Sequence, residues 1–244
     1  MHKSRFLCLA VSRRNGANCI AGVDIDSGQW IRPVYAIHRG ALGDSDIVVS
    51  DRGNLRIMAP LDLIELHLGE SAGIPGQPEN WTLNPVSGAK AHSVLCRAGD
   101  DPSLFAIVRN MAEASSSISM ILGTPDNKVP HSSIEKESVK YSLCVIRPRD
   151  LVWSRALNFQ GKPRIEALFS FGSRSTRYRL PVTDIAWEPK LLERTTERTT
   201  LRASESPGMD ANREMLLTVS LGDHFRETGF HYKLIAGVLS LSKK

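Results

Sequence analysis

Short apolar runs divided by turn-forming residues dominate the first third of the chain. Residues 5–12, 18–25 and 29–34 read as three strands, separated by Arg13-Arg14-Asn15-Gly16 and by Asp26-Ser27-Gly28. Both separators carry turn chemistry, and the second makes a hairpin in which Trp30 and Arg32, two residues apart, share one face. Residues 35–55 are rich in Gly and Asp and read as a long loop, after which 55–68 returns as an apolar strand interrupted at Pro60. Residues 69–90 hold four Gly and three Pro and read as an ordered loop pinned by Trp81.

The period changes after residue 100. Asp101 suits a helix N-cap and Pro102 the first helical position. Leu104, Ile107, Val108, Met111 and Ala112 then fall at helical spacing, which predicts a helix over 102–115. β character resumes at Tyr141-Ser142-Leu143-Cys144-Val145-Ile146 and continues through 151–153, 164–171 and 176–182, with Gly172-Ser173-Arg174-Ser175 as a hairpin turn. Residues 189–214 are charged, Thr-rich and weakly amphipathic, and read as a partly mobile, helix-prone excursion. Strands over 215–221 and 230–241 close the pattern. The expected fold class is therefore mostly β with minor α: a first β lobe at 1–95, a helical and loop connection at 96–139, and a second β lobe at 140–244.

A length of 244 residues, 41% hydrophobic and 23% charged, is ordinary for a folded globular chain. Cys8, Cys19, Cys96 and Cys144 sit among apolar residues without C-x-x-C spacing, so reduced, buried thiols in a cytoplasmic protein are expected. The apolar run after the basic amino terminus is too short for a signal peptide, and no segment approaches a membrane span. The net charge of +5 is unevenly spread. Residues 141–180 hold eight cations against two carboxylates, and seven of the eight are arginines, the side chain that forks onto phosphates and stacks on bases.

That block interleaves Arg147, Arg149, Trp153, Arg155, Arg174, Arg177, Tyr178 and Arg179, and Trp30 with Arg32 adds a pair in the first lobe. Cations along a groove with aromatic stacking platforms are what single-strand binding needs, and these ten residues are the candidate nucleic-acid-binding set. Trp30 and Trp153 also lie in apolar strands, where burial in the core is the competing reading. Asp24 with Asp26, and Asp62 with Glu65, are the carboxylate pairs a metal-dependent nuclease would use, but no third ligand follows at a recognisable spacing. His224 and His231 flank a probable hairpin, without acidic or thiol partners nearby in sequence, and read as surface histidines. No phosphate loop, dinucleotide turn or nucleophile elbow is present. No catalytic residue, metal or cofactor is expected.

The sequence resembles the dual OB-containing domain family, a bacterial and archaeal group associated with biological conflict systems. The resemblance rests on Leu7-Cys8-Leu9-Ala10-Val11-Ser12-Arg13-Arg14 leading into Cys19-Ile20-Ala21-Gly22, on Trp30-Ile31-Arg32-Pro33-Val34, and on Ser220-Leu221-Gly222 with Tyr232-Lys233-Leu234-Ile235-Ala236-Gly237. It implies two OB-like β-barrels and a noncatalytic module that binds nucleic acid, in bacterial defence or nucleic-acid metabolism. The expected partner is single-stranded DNA or RNA. A protein-interaction or small-ligand sensor module, with the basic block meeting an acidic partner, is the alternative.

Overall fold

The computed structural model describes residues 2–14, 16–35, 40–84, 92–136, 139, 141–173 and 175–243. The chain divides into two compact units, Met1–Val108 and Arg109–Lys244. The division falls within helix α1 (Pro102–Ser116), which begins where the sequence predicts. Asp101 Oδ1 accepts the backbone N–H of Ser103 at 2.9 Å, relieving one of the unpaired donors of the first turn.

The first unit is built on β1 (His2–Arg14), β2 (Ala17–Asp24), β3 (Trp30–Tyr35), β4 (Val48–Asp51), β5 (Asn54–Ile57), β6 (Asp62–Ser71), β7 (Asn80–Leu83) and β8 (His92–Arg97). Five of these close a ring in the order β1-β2-β3-β7-β6 and back to β1, with β3 and β7 parallel and the other pairs antiparallel. This is a closed Greek-key barrel of the OB type. β1 serves two neighbours, pairing β6 through His2–Leu7 and β2 from Phe6 onward, and a bulge between Cys8 and Ala10 bends it to do so. Where β1 and β2 cross, a Cβ on Gly22 would lie 2.1 Å from the Leu7 carbonyl oxygen and 2.8 Å from the Phe6 ring. Only glycine fits there.

Phe6, Ile64, Leu66 and Leu68 alternate into the barrel interior, while Lys3, Arg5 and Glu65 face out. Beyond β6 the sheet continues through β8 and β4 to an open edge at β5. Two segments read from sequence as loops thus contain strands. Residues 48–51 form β4, and Trp81 lies within β7 as part of a barrel strand.

The second unit repeats the pairing order. Its strands are β9 (Lys128–Pro130), β10 (Leu143–Ile146), β11 (Arg149–Leu157), β12 (Pro163–Phe171), β13 (Thr176–Pro181), β14 (Thr200–Arg202), β15 (Arg213–Phe225) and β16 (Phe230–Ser242). The counterpart of β1 is broken at Arg147-Pro148, so β10 pairs β15 while β11 pairs β12. The two sheets, β10-β15-β16-β9 and β13-β12-β11-β14, meet where Val182 bridges Ile235 in parallel and the Thr183 N–H donates to the Ile235 carbonyl at 2.9 Å. The excursion expected over 189–214 overlaps helix α3 (Trp187–Arg194) and includes β14. Asp184 anchors α3: its Oδ1 accepts the N–H groups of Ala186 and Trp187, and its Oδ2 that of Val238, each at 2.9 Å. Burial nevertheless pushes the Asp184 carboxyl up to about 6.

A single apolar cluster fills this unit, from Ile146, Trp153, Ile165 and Phe169 to Val219, Ile235 and Val238. One end is closed by residues 121–126, clamped by two side chains. The Tyr178 hydroxyl accepts the Ile121 N–H and donates to the Thr124 carbonyl, both at 3.0 Å. Lys233, fully buried, donates to the carbonyls of Thr124 at 2.7 Å and Asp126 at 2.8 Å, with its Nζ 5.2 Å from the Tyr178 ring centroid.

Candidate nucleic-acid interface

Side chains alternate across a strand, and directly paired residues share a face. In the four-stranded sheet of the second unit, Ile165, Ala167 and Phe169 of β12 point into the core, as do Trp153 of β11 and Tyr178 and Leu180 of β13. The opposite face is fixed by register. One row runs Arg149–Ser170–Arg177, and the next runs Arg202–Val152–Leu168–Arg179. Further rows pair Ser154 with Glu166 and Ala156 with Arg164. Arg149, Arg164, Arg177, Arg179 and Arg202 therefore lie on one outer face, with Glu166 as the carboxylate among them.

Glu166 orders its neighbours. It accepts from Arg164 Nη2 through Oε1 and from Arg179 Nε through Oε2, the latter at 2.7 Å. The Glu166 side chain is nearly buried while that of Arg179 is 62% exposed, so the guanidinium is held at its base and open at its tip. Arg149 is held as well, donating through Nη2 to the Gly172 carbonyl at 2.5 Å and to Ser175 Oγ at 3.2 Å. Arg177 projects into solvent. Five arginines outnumber the carboxylates that meet them, Glu166 in the sheet and Glu188 of α3 acting on Arg164, so the face stays positive, and two carboxylate-bound forks are positioned without being fully neutralised.

The two aromatics expected in this block are placed elsewhere. Trp153 is 0% exposed and its Nε1 donates to Ser206 Oγ at 2.8 Å; Tyr178 is 3% exposed and stacks on Phe169 with centroids 5.7 Å apart. Tyr178 sits between two outward arginines, so strand alternation turns it inward. Neither ring presents a face to solvent. Arg155, paired with core residue Ile165, reaches the Thr195 carbonyl at 3.3 Å and stays half-buried. Arg147 leaves the core strand and ion-pairs with Glu214 at 3.1 Å, which also binds Arg109. Arg174 lies outside the described residues.

In the first unit, Trp30 and Arg32 do share the outer side of β3, with Trp30 directly opposite Val23. Trp30 is half-buried, and Arg32 lies against the buried Glu79 carboxylate at 3.6 Å with little exposure. The carboxylate pairs separate. Asp24 accepts from Ser4 Oγ at 2.6 Å and from the Ser27 N–H at 2.8 Å, while Asp26 pairs with Arg5 on the surface at 2.9 Å. The hydrogen bonds from Ser4 and Ser27 hold the Asp24 carboxyl below its usual range against the opposing effect of burial. Asp62 is gripped by Arg56 at 2.7 Å, while Glu65, three residues on and across the strand, pairs with Lys3 at 2.9 Å. Among the described residues no group of three or more His, Cys, Asp or Glu is arranged to hold a metal ion.

Sequence reasoning missed two members of the arginine face and one exposed aromatic on the β11–β12 hairpin. Arg164 and Arg202 belong to it by register, and Arg202 was hidden in what read as a solvated excursion. The third is Phe159, 91% exposed at the β11–β12 turn. That turn is rigid: Asn158 Oδ1 accepts the N–H groups of Gln160 and Lys162, both at 2.9 Å, and the Asn158 N–H donates to the Lys162 carbonyl at 2.8 Å. A phenylalanine between Asn158 and Gln160-Gly161 in a hairpin loop is the signal that could have found it.

Comparison with curated proteins and with solved structures finds no match. The family description "Dual OB-containing domain" matches residues 4–238, which span both units. Nearly the whole length is covered, and the barrel order of the first unit recurs as a pairing order in the second. The chain belongs to the dual OB-containing domain family.

Proposed function

We propose that this protein is a noncatalytic module that binds single-stranded nucleic acid across the outer face of β11, β12, β13 and β14. The observation that carries the reading is the registered arginine face, Arg149, Arg164, Arg177, Arg179 and Arg202 around Glu166. OB barrels use the outer face of their second and third strands and adjoining loops for oligonucleotides, and β12 and β13 hold those positions in the second unit. Stacking is assigned to Phe159, on the loop that joins the first and second strands of that barrel order, in place of the buried Trp153 and Tyr178. A place in bacterial defence rests on the family resemblance alone.

The test is anisotropy of labelled single strands at several salt concentrations, with wild type and a variant carrying Arg177→Gln, Arg179→Gln and Arg202→Gln. Each phosphate contact on a single strand contributes about 0.7 to the slope of log K against log salt, so losing three should flatten it by about 2 while weakening binding. Phe159→Ala should cost about 1–3 kcal/mol of affinity and leave the salt slope unchanged. Equal slope and affinity in the triple variant would remove this face from the reading. No binding by wild type at low salt would favour the alternative, a protein-interaction or small-ligand sensor module whose basic block meets an acidic partner.

A further inference from the structure

Three histidines from distant parts of the second unit stack on one another. His131 follows β9 at the start of α2 (His131–Glu135), His224 lies near the end of β15, and His231 lies in β16. The rings of His131 and His224 are 3.8 Å apart by centroid and within 6° of parallel, and the His131–His231 and His224–His231 centroids are 5.2 and 5.3 Å apart. They sit where β16 pairs with β9, His231 opposite Val129, and where the His131 N–H donates to the Gly229 carbonyl at 3.0 Å.

The hydrogen bonds fix the protons. His231 Nδ1 is 2.9 Å from the Gly222 carbonyl oxygen, an acceptor only, so Nδ1 carries a proton. His231 Nε2 is then free to accept from His131 Nδ1–H at 3.0 Å. The pair has room for one more proton, on His131 Nε2, which lies 3.6 Å from the Glu135 carboxylate. A second proton on that pair sets two N–H groups against each other across 3.0 Å. A second proton on His224 instead stacks two cations face to face at 3.8 Å. His224 Nε2 is buried without a hydrogen-bond partner, so its charged form gains no hydrogen bond there.

We propose that His131, His224 and His231 form a proton-operated latch, which fastens the β15–β16 hairpin tip to β9 at neutral pH and releases it under acid. The charged groups facing His224 are Glu135 from α2 and Arg226 from the hairpin turn, with the other two histidines. Glu135 favours one cation, whereas Arg226 opposes any. Withdrawal from water, then His131, His231 and Arg226, hold the His224 ring below its usual value. The sign follows: the closed state binds fewer protons than the open one, so closure is complete above the ordinary histidine value and is lost as pH falls below it.

The test is amide hydrogen exchange at pH 7.5 and 5.5, corrected for intrinsic rates, on wild type and His224→Phe, which keeps the stack and cannot titrate. Protection of the His131 amide should fall by about tenfold or more at pH 5.5 relative to the core strand amide of Val219 in wild type, and stay level in the variant. Equal protection at both pH values in wild type, or equal loss in both proteins, overturns the latch. Should the variant fail to fold, the Cε1–H titration of the three wild-type rings decides: all three becoming cationic with the His131 amide still protected refutes the proposal.

Discussion

Lys233 offers the sharpest test of how the second unit is closed. Its ammonium is 0% exposed, held by two carbonyls at 2.7 and 2.8 Å, and burial pulls the amine from 10.5 down to about 7. Between those values the unfolded chain holds a proton that the folded chain has released, so stability must rise with pH across this window. Integrating from pH 7.5 to 9.5 gives a gain of about 2–3 kcal/mol, since each fully effective pH unit is worth about 1.4 kcal/mol. Lys233→Met keeps the length and apolar stem and removes the titration. Its net offset from wild type mixes relief of desolvation with the loss of hydrogen bonds to Thr124 and Asp126, but its pH slope isolates the amine. Urea unfolding followed by tryptophan fluorescence at half-unit steps should show wild type gaining on Lys233→Met by about 2–3 kcal/mol over that range. Parallel curves would show that the amine is not desolvated as the structure places it.

Two further outcomes follow from single contacts. Asp184→Asn turns an amide N–H₂ or a single oxygen toward donors on both sides, since Ala186, Trp187 and Val238 all donate to the carboxylate; calorimetry should show a loss of about 1–3 kcal/mol, and unchanged stability would refute the three-donor anchor. Gly22→Ala drives a Cβ to 2.1 Å from the Leu7 carbonyl oxygen, a backbone atom that cannot rotate away, so the β1–β2 crossing must separate; a thermal midpoint within a degree or two of wild type would show that the first barrel is looser than described.

Local chemistry was legible wherever the chain supplies its own instructions. The turn at Asp26-Ser27-Gly28 forms as its residues require, with Gly28 at φ 72° and Asp24 capping the N–H groups of Asp26 and Ser27. Helix α1 starts at Pro102 behind the Asp101 cap, the mostly β class follows from short strands and turn spacing, and the two OB-like barrels follow from the family resemblance. Alternation alone also separates Tyr178 from Arg177 and Arg179, because neighbours in a strand face opposite sides.

What the tertiary structure decided is pairing between residues far apart in sequence. β7 is four residues long inside a Gly- and Pro-rich stretch and has no strand signal of its own; it exists because closing the first ring needs a parallel partner for β3. Arg202 joins the arginine face only because β14 pairs with β11, and Trp153 leaves the candidate site because the same sheet turns it into the core. His131 meets His231 across 100 residues, a proximity that no spacing along the chain encodes. Turns and helix caps are set by neighbouring residues, so sequence determines them directly. Which faces are buried and which charges cluster depends on sheet register, and register is fixed by the packing of the whole barrel.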